Sequence, residues 1–168
     1  PIFNVSPINN QSFIPPDTHG GVDSNYCITA INSNIRIQRK NGTNVSNVSL
    51  DFWWSSMLGS GNGTFDPRVH YDPYARRWIM VAVAYGQAAN SQLMISVSQT
   101  SNPTGTWNRF KVLVDPTGKS WLDFPNVGFN GKWVVVTGNF FQNTSGGATG
   151  AVAYVFDKAA MMANTGAP

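Results

Sequence analysis

Apolar and polar positions alternate along most of this chain at the two-residue period of β-strands, as in Ile35-Arg36-Ile37. Two stretches depart from the alternation by being apolar on both sides: RWIMVAVAY (77–85) and KWVVVTGNF (132–140). A strand with one solvated face alternates, whereas one apolar on both faces is expected between two neighbouring layers. Turn signals separate the strands. KNGT (40–43) is an Asn-Gly hairpin signal, and TSNPTGTW (100–107) is a Pro-Gly turn delivering Trp107 to the next strand. GSGNGT (59–64) reads as a flexible connection, because it lacks the Lys and the following helix of a phosphate loop. The helical period is expected only over DKAAMMAN (157–164).

Three segments share one plan. They are PPDTHGGVDSNYCITAIN with SNIRIQRKNG, then TFDPRVHYDPYARRWIMVAVAYG with NSQLMISVSQTSNPTG, then WLDFPNVGFNGKWVVVTGNFF with GAVAYVFDKAAM. In each, an Asp opens a short extended stretch, a turn follows, and an aromatic (Tyr26, Trp78, Trp133) begins an apolar strand with which a second strand pairs. The aspartates are Asp17, Asp66 and Asp123, at spacings of 49 and 57. A unit of about fifty residues built from several short strands has the size of one β-propeller blade. The expected fold is therefore all-β: a β-propeller region over residues 1–168, with about three four-stranded blades starting near 17, 66 and 123. Three blades do not close a ring, which takes at least about four. The chain, which begins at Pro1 without Met, is expected to be an excised or mature piece of a larger ring, or one whose ring is completed in another way.

Composition sharpens this picture. Glu is absent, Val, Thr, Ser, Asn, Gly and aromatics abound, and 11% of residues are charged, for a net charge of +3. The densest basic groups, Arg36-Arg39-Lys40 and Arg76-Arg77, lack the length and aromatic interleaving of a nucleic-acid surface. No apolar run approaches the roughly eighteen residues of a membrane span. The single cysteine, Cys27, forms no internal disulfide and is expected in the core. Seven N-x-S/T sequons begin at Asn4, Asn10, Asn41, Asn44, Asn47, Asn62 and Asn143. They are glycan acceptors if the source is eukaryotic and polar loops if it is bacterial, and both readings favour an extracellular setting.

The segments PPDTHGGVDSNYCITAIN, DPRVHYDPYARRWIM, SVSQTSNPTGTWNRF, LDFPNVGFNGKWVV and AYVFDKAAMM resemble, in order, the PPDT-G-V-N-Y, DP-V-YD-A-RW, S-T-DPTG-W and D-P-K-G motifs of a family of secreted bacterial β-propeller proteins. The likeness covers residues 15–163, departing at Asn102, where Asp is usual, and at Asn126, where Lys is common. The resemblance implies a propeller in an extracellular or surface-attached setting and implies no particular reaction. SNPTGTW is also similar to the sialidase Asp-box, but Pro103 stands at its defining Asp, so that likeness is rejected.

Strand alternation places Asp17 with His19, and Asp66 with Arg68 and His70, on common sides, with Asp123 opening the third equivalent segment. If the three segments enter their blades alike, these residues gather at one mouth of a central channel as ligand-binding candidates. The plainer reading makes each Asp a turn acceptor at a blade-entry corner, and it is preferred because three equal sites rarely each do chemistry. Trp53 and Trp54 are a further candidate pair: adjacent strand residues face opposite ways, which exposes one ring for stacking on a sugar. Zinc finds no paired His/Cys spacing among His19, His70 and Cys27, while calcium is easier to accommodate near Asp17 or Asp66. No cofactor is expected. The function expected is a non-catalytic extracellular binding, adhesion or structural module, with a glycan or protein ligand and self-association through propeller edges. The alternative is a carbohydrate-active hydrolase, glycosidase or sialidase-like, with catalytic residues partly outside this segment.

Overall fold

The alternating pattern resolves, in a computed structural model that describes residues 13–58 and 63–165, into eleven strands and two short helices. The first sheet holds β1 (His19–Val22), β2 (Tyr26–Ala30), β3 (Asn34–Arg39) and β4 (Asn44–Ser49), followed by α1 (Leu50–Trp54). The middle sheet holds β5 (Thr64–Asp72), β6 (Arg77–Ala84), β7 (Gln92–Ser98) and β8 (Trp107–Leu113). The third holds β9 (Ser120–Phe129), β10 (Trp133–Gln142) and β11 (Ala148–Asp157), followed by α2 (Lys158–Ala163). Within each sheet every strand pairs antiparallel with its successor, so each sheet is a meander and the fold is all-β. The third sheet has three strands among the described residues, one fewer than the repeat predicts.

One of the two apolar runs, on β6, has the expected cause; the other, on β10, is buried on one face only, with Thr137 and Asn139 exposed on the other. On β6, Trp78, Met80, Ala82 and Ala84 face one way and meet Ile28, Ala30, Ile35 and Ile37 of the first sheet. The intervening Ile79, Val81 and Val83 face the other way and meet Leu122, Val134, Val136 and Phe156 of the third. The middle sheet is thus buried on both faces, and removing those side chains from water is the main force holding the three sheets together. Gly21 of β1 permits the close approach of the first sheet: a Cβ there would lie 3.1 Å from the Trp78 ring and from the Val69 carbonyl. The first strands of successive sheets lie side by side, β1 against β5 and β5 against β9.

Three local expectations change. Residues 50–54 are helical, with the Ser49 hydroxyl accepting the Phe52 N–H at 3.1 Å as an N-cap. Cys27 is half-buried rather than in the core, on the opposite face of β2 from Ile28. On β5 a register shift between Phe65 and Arg68, with Asp66 at φ 53°, breaks the alternation, so Asp66 does not share a side with Arg68 and His70. At the far end of the same strand Asp72 is wholly buried. Its carboxylate accepts the Tyr74 and Ala75 N–H groups and pairs with Lys158 Nζ at 2.7 Å. Lys158 also donates to the Asn130 carbonyl, which fixes α2 to the middle and third sheets.

Candidate functional site

The three repeat aspartates converge. Asp17, Asp66 and Asp123 line one cleft of about 640 Å3 beside the entries of β1, β5 and β9, walled by Phe65, Trp121 and Phe124. Its backbone is unusual: Asp17 (φ 47°), Asp66 (φ 53°), Gln87 (φ 57°) and Phe124 (φ 51°) all line it in the left-handed region. Asp tolerates that region because its short side chain bonds locally, whereas Phe gains nothing there, and such a conformation costs about 1–3 kcal/mol.

The carboxylates are linked from sheet to sheet. Asn32 Nδ2 donates to Asp17 Oδ2 at 2.6 Å and to the Pro15 carbonyl at 2.9 Å, while Asn32 Oδ1 accepts the Asp66 N–H at 2.6 Å. Asp66 Oδ2 accepts the Phe124 N–H at 2.9 Å, and the Asp66 and Asp17 carboxyls hydrogen-bond to each other. Two adjoining carboxyls can bond this way only if one keeps its proton. Burial, then the bond to Asp17 and the nearby charges of Asp17 and Asp123, pushes the Asp66 carboxyl up to about 7 from an ordinary 3.8, against the Phe124 N–H, which favours ionisation. Asp123 accepts no hydrogen bond from any described residue and is half-buried at the cleft. Asp17 and Asp66 therefore accept from distant partners rather than, as the corner reading expects, from N–H groups of their own turns, and all three aspartates share one cavity.

Gly86 lets the aromatic wall close up. A Cβ there would stand 3.0 Å from the Phe65 ring. Trp121 packs between Phe65 and Phe141, with ring centroids 6.2 and 5.5 Å away. Its Nε1 is buried without a hydrogen-bond partner among the described residues. Sequence reasoning named neither Asn32 nor Gln87, both of which line the cleft. An Asn before a strand gives no sign that it bridges two aspartates.

The other candidates lie elsewhere. His19, Arg68 and His70 form a separate cluster between β1 and β5, with the two imidazole centroids 4.9 Å apart. Trp54 is fully buried, and Trp53 is half-buried against Trp107, edge to face at 5.0 Å, with the Arg109 guanidinium over its ring at 5.1 Å. The stacking surface expected of that pair is absent because residues 50–54 form a helix that turns both rings onto the protein. Exposed aromatic area lies instead on Phe13, Phe52, Tyr74 and Phe124. Asn41, Asn44 and Asn47 are exposed on the β3–β4 turn and on β4, whereas the half-buried Asn143 donates through Nδ2 to the Gly118 carbonyl at 2.8 Å. Asn4, Asn10 and Asn62 lie outside the described residues. Among the described residues no three His, Cys, Asp or Glu side chains form a group able to hold a metal ion.

No protein-family profile matches the sequence, and no curated protein matches it. Among solved structures the chain is similar to native Bacillus subtilis arabinanase Arb43A at 14% identity and a TM-score of 0.47, over 82% of this chain and 55% of that one. The chain thus spans about half the length of that protein, and a likeness this slight carries no argument about chemistry.

Proposed function

We propose that this chain is part of an extracellular β-propeller of the secreted bacterial type that its motifs resemble, and that its cleft binds a glycan without cleaving it. The observation that carries the reading is the meeting of the three repeat aspartates in one aromatic-walled cavity. Supporting the fold are the meander order of each sheet and the side-by-side placement of β1, β5 and β9, the arrangement of first strands around a propeller axis. Aromatic faces stack on the C–H faces of sugars, and carboxylates accept sugar hydroxyls, so Trp121 and Phe124 with Asp17 and Asp123 offer both halves of such recognition. Against catalysis stands the engagement of Asp66, which is 5% exposed and already bonded to the Phe124 N–H and to Asp17. Exposed sequons at Asn41, Asn44 and Asn47 agree with an extracellular setting, and sheet edges that are unpaired among the described residues leave room for self-association or a protein partner.

One observation favours glycoside hydrolysis as the second reading. A carboxyl protonated to about neutral pH beside further carboxylates is the pattern of a general acid with its base or nucleophile. Calorimetric titration with neutral oligosaccharides tests the first reading, and reducing-sugar release from the same glycans tests the second. Binding is expected to weaken about tenfold or more in Trp121→Ala, with no sugar released. Absence of binding to any of a broad set of glycans at millimolar concentration sinks the first reading. Release that disappears in Asp66→Asn installs the second.

A further inference from the structure

Arg68 is a buried cation without a counter-charge. It is 5% exposed, and among the described residues no ion pair joins it to a carboxylate. Its one hydrogen bond runs from Nη1 to the carbonyl of its own neighbour Pro67, at 3.1 Å. Its guanidinium lies 4.7 Å from the centroid of the Phe124 ring. The register shift that precedes it turns Asp66, two residues away, to the cleft and to Phe124 N–H instead. A guanidinium has five donors, one of which is met by that carbonyl, and no Arg68 nitrogen is buried without a partner, so the remaining donors reach solvent and are open to a ligand.

Two imidazoles stand beside it. Regular pairing of Arg68 with Val81 and of His70 with Ile79 puts both side chains on one face of β5, and the His19 ring from β1 packs on His70. His19 Nδ1 accepts the Val69 N–H at 3.2 Å, so its proton resides on Nε2, which is left as a donor. His70 makes no hydrogen bond to a described residue and lies 6.2 Å from Phe129 of β9, ring to ring. Both histidines are half-buried, so the cluster opens to solvent. Donors therefore gather from two strands, and apart from the Pro67 carbonyl no acceptor among the described residues answers them.

We infer that Arg68, His19 and His70 form a binding site for a single carboxylate group, with the planar guanidinium fork as its anchor and the imidazole N–H groups as auxiliary donors. A fork of two parallel N–H bonds fits a planar carboxylate. Charge supports the same class: burial, and then Arg68 for His19 and the neighbouring His19 and Arg68 for His70, holds both imidazoles below their ordinary range and hence neutral near pH 7. The cluster then carries one full positive charge, matched by a monoanion and under-matched to a phosphate dianion. The site adjoins the cleft through Phe124, on which the guanidinium packs, but its donors come from β1 and β5 and none of the three side chains lines the cleft.

The probes are acetate and D-glucuronate, with glucose and inorganic phosphate as comparisons, followed by the ring 15N resonances of His19 and His70 in the wild-type protein. Saturable shifts are expected with both carboxylates, with glucuronate at least about tenfold tighter than glucose. Arg68→Gln is expected to lower carboxylate affinity about tenfold or more, Arg68→Lys less, and Trp121→Ala not at all. Shifts that stay linear with carboxylate overturn the inference, as does phosphate binding as tightly as glucuronate. Because the wild-type titration needs no folded variant, a failure of Arg68→Gln to fold leaves it decisive. A loss of carboxylate binding in Trp121→Ala would place the carboxylate in the cleft and overturn the assignment to Arg68.

Discussion

Strand β5 carries a buried aspartate near each end, and the two are neutralised by different means. Asp72 meets a cation, Lys158, at 2.7 Å and two backbone N–H donors. Asp66 meets another acid, so a proton takes the place of the cation. A charge fully matched by protein groups holds the fold together and has nothing left to offer a ligand. A carboxyl that depends on a proton changes with pH, and together with Asp17 and Asp123 it borders a cavity. The difference separates a structural end of the strand from an end where a function can reside.

The sharpest way to break the comparison is to remove the cation. Lys158→Met leaves Asp72 buried and unpaired and is expected to destabilise the protein by about 3–5 kcal/mol in urea unfolding. The double variant Lys158→Met with Asp72→Asn should recover much of that loss; if it does not, the pair is not the source of the cost. At the other end, Asp66→Asn keeps an acceptor for Phe124 N–H and supplies an N–H in place of the Asp66 carboxyl proton. Folded Asp66 holds its proton to about 7 against an ordinary 3.8, so its contribution is full at low pH and is lost as pH rises through 7. From about pH 4 to pH 7 wild-type stability should therefore lose ground steadily against Asp66→Asn, and above pH 7 the variant should exceed wild type by a constant ~1–2 kcal/mol. An identical slope in both proteins would contradict the raised Asp66 pKa.

The histidines run the opposite way. Their folded pKa values lie below the ordinary 6.5, so stability is full above that value and declines as pH falls beneath it. His70→Gln should shallow this acid limb by a smaller amount, roughly 1 kcal/mol for each unit of depression removed. An unchanged acid limb would mean that His70 titrates as it does in the unfolded chain. Asp123→Asn should change stability least, within about 0.5 kcal/mol, since its carboxylate accepts no bond from a described residue. A larger loss in chemical unfolding would show that Asp123 has a structural partner after all.

Strand content and the repeat were legible because both are local patterns. Alternation reports burial of one face, and RWIMVAVAY reports burial of two, which is what β6 does between its neighbours. The spacing of Asp17, Asp66 and Asp123 brought the right three carboxylates together without saying that burial beside the others pushes the Asp66 carboxyl up. The misses came from features that period-2 reasoning ignores. One residue in a left-handed conformation at Asp66 reverses which side chains follow it, and a hydroxyl cap at Ser49 turns a Trp-Trp pair from strand to helix. Lys158 and Asp72 stand 86 residues apart, and no local signal links them.

That distant pairing has a mechanical consequence. Among the described residues β11 is an edge strand, and pulling on the chain beyond α2 would ordinarily peel such a strand from β10 one hydrogen bond at a time. Lys158 lies between the pulling point and β11, clamped to Asp72 on the middle sheet and to the Asn130 carbonyl. Tension applied there unravels α2 and then loads the clamp, so β11 can unzip only after the clamp ruptures. In an optical trap this is expected as one abrupt rip that Lys158→Met converts into gradual unzipping at lower force, and a wild-type trace without the rip would count against it.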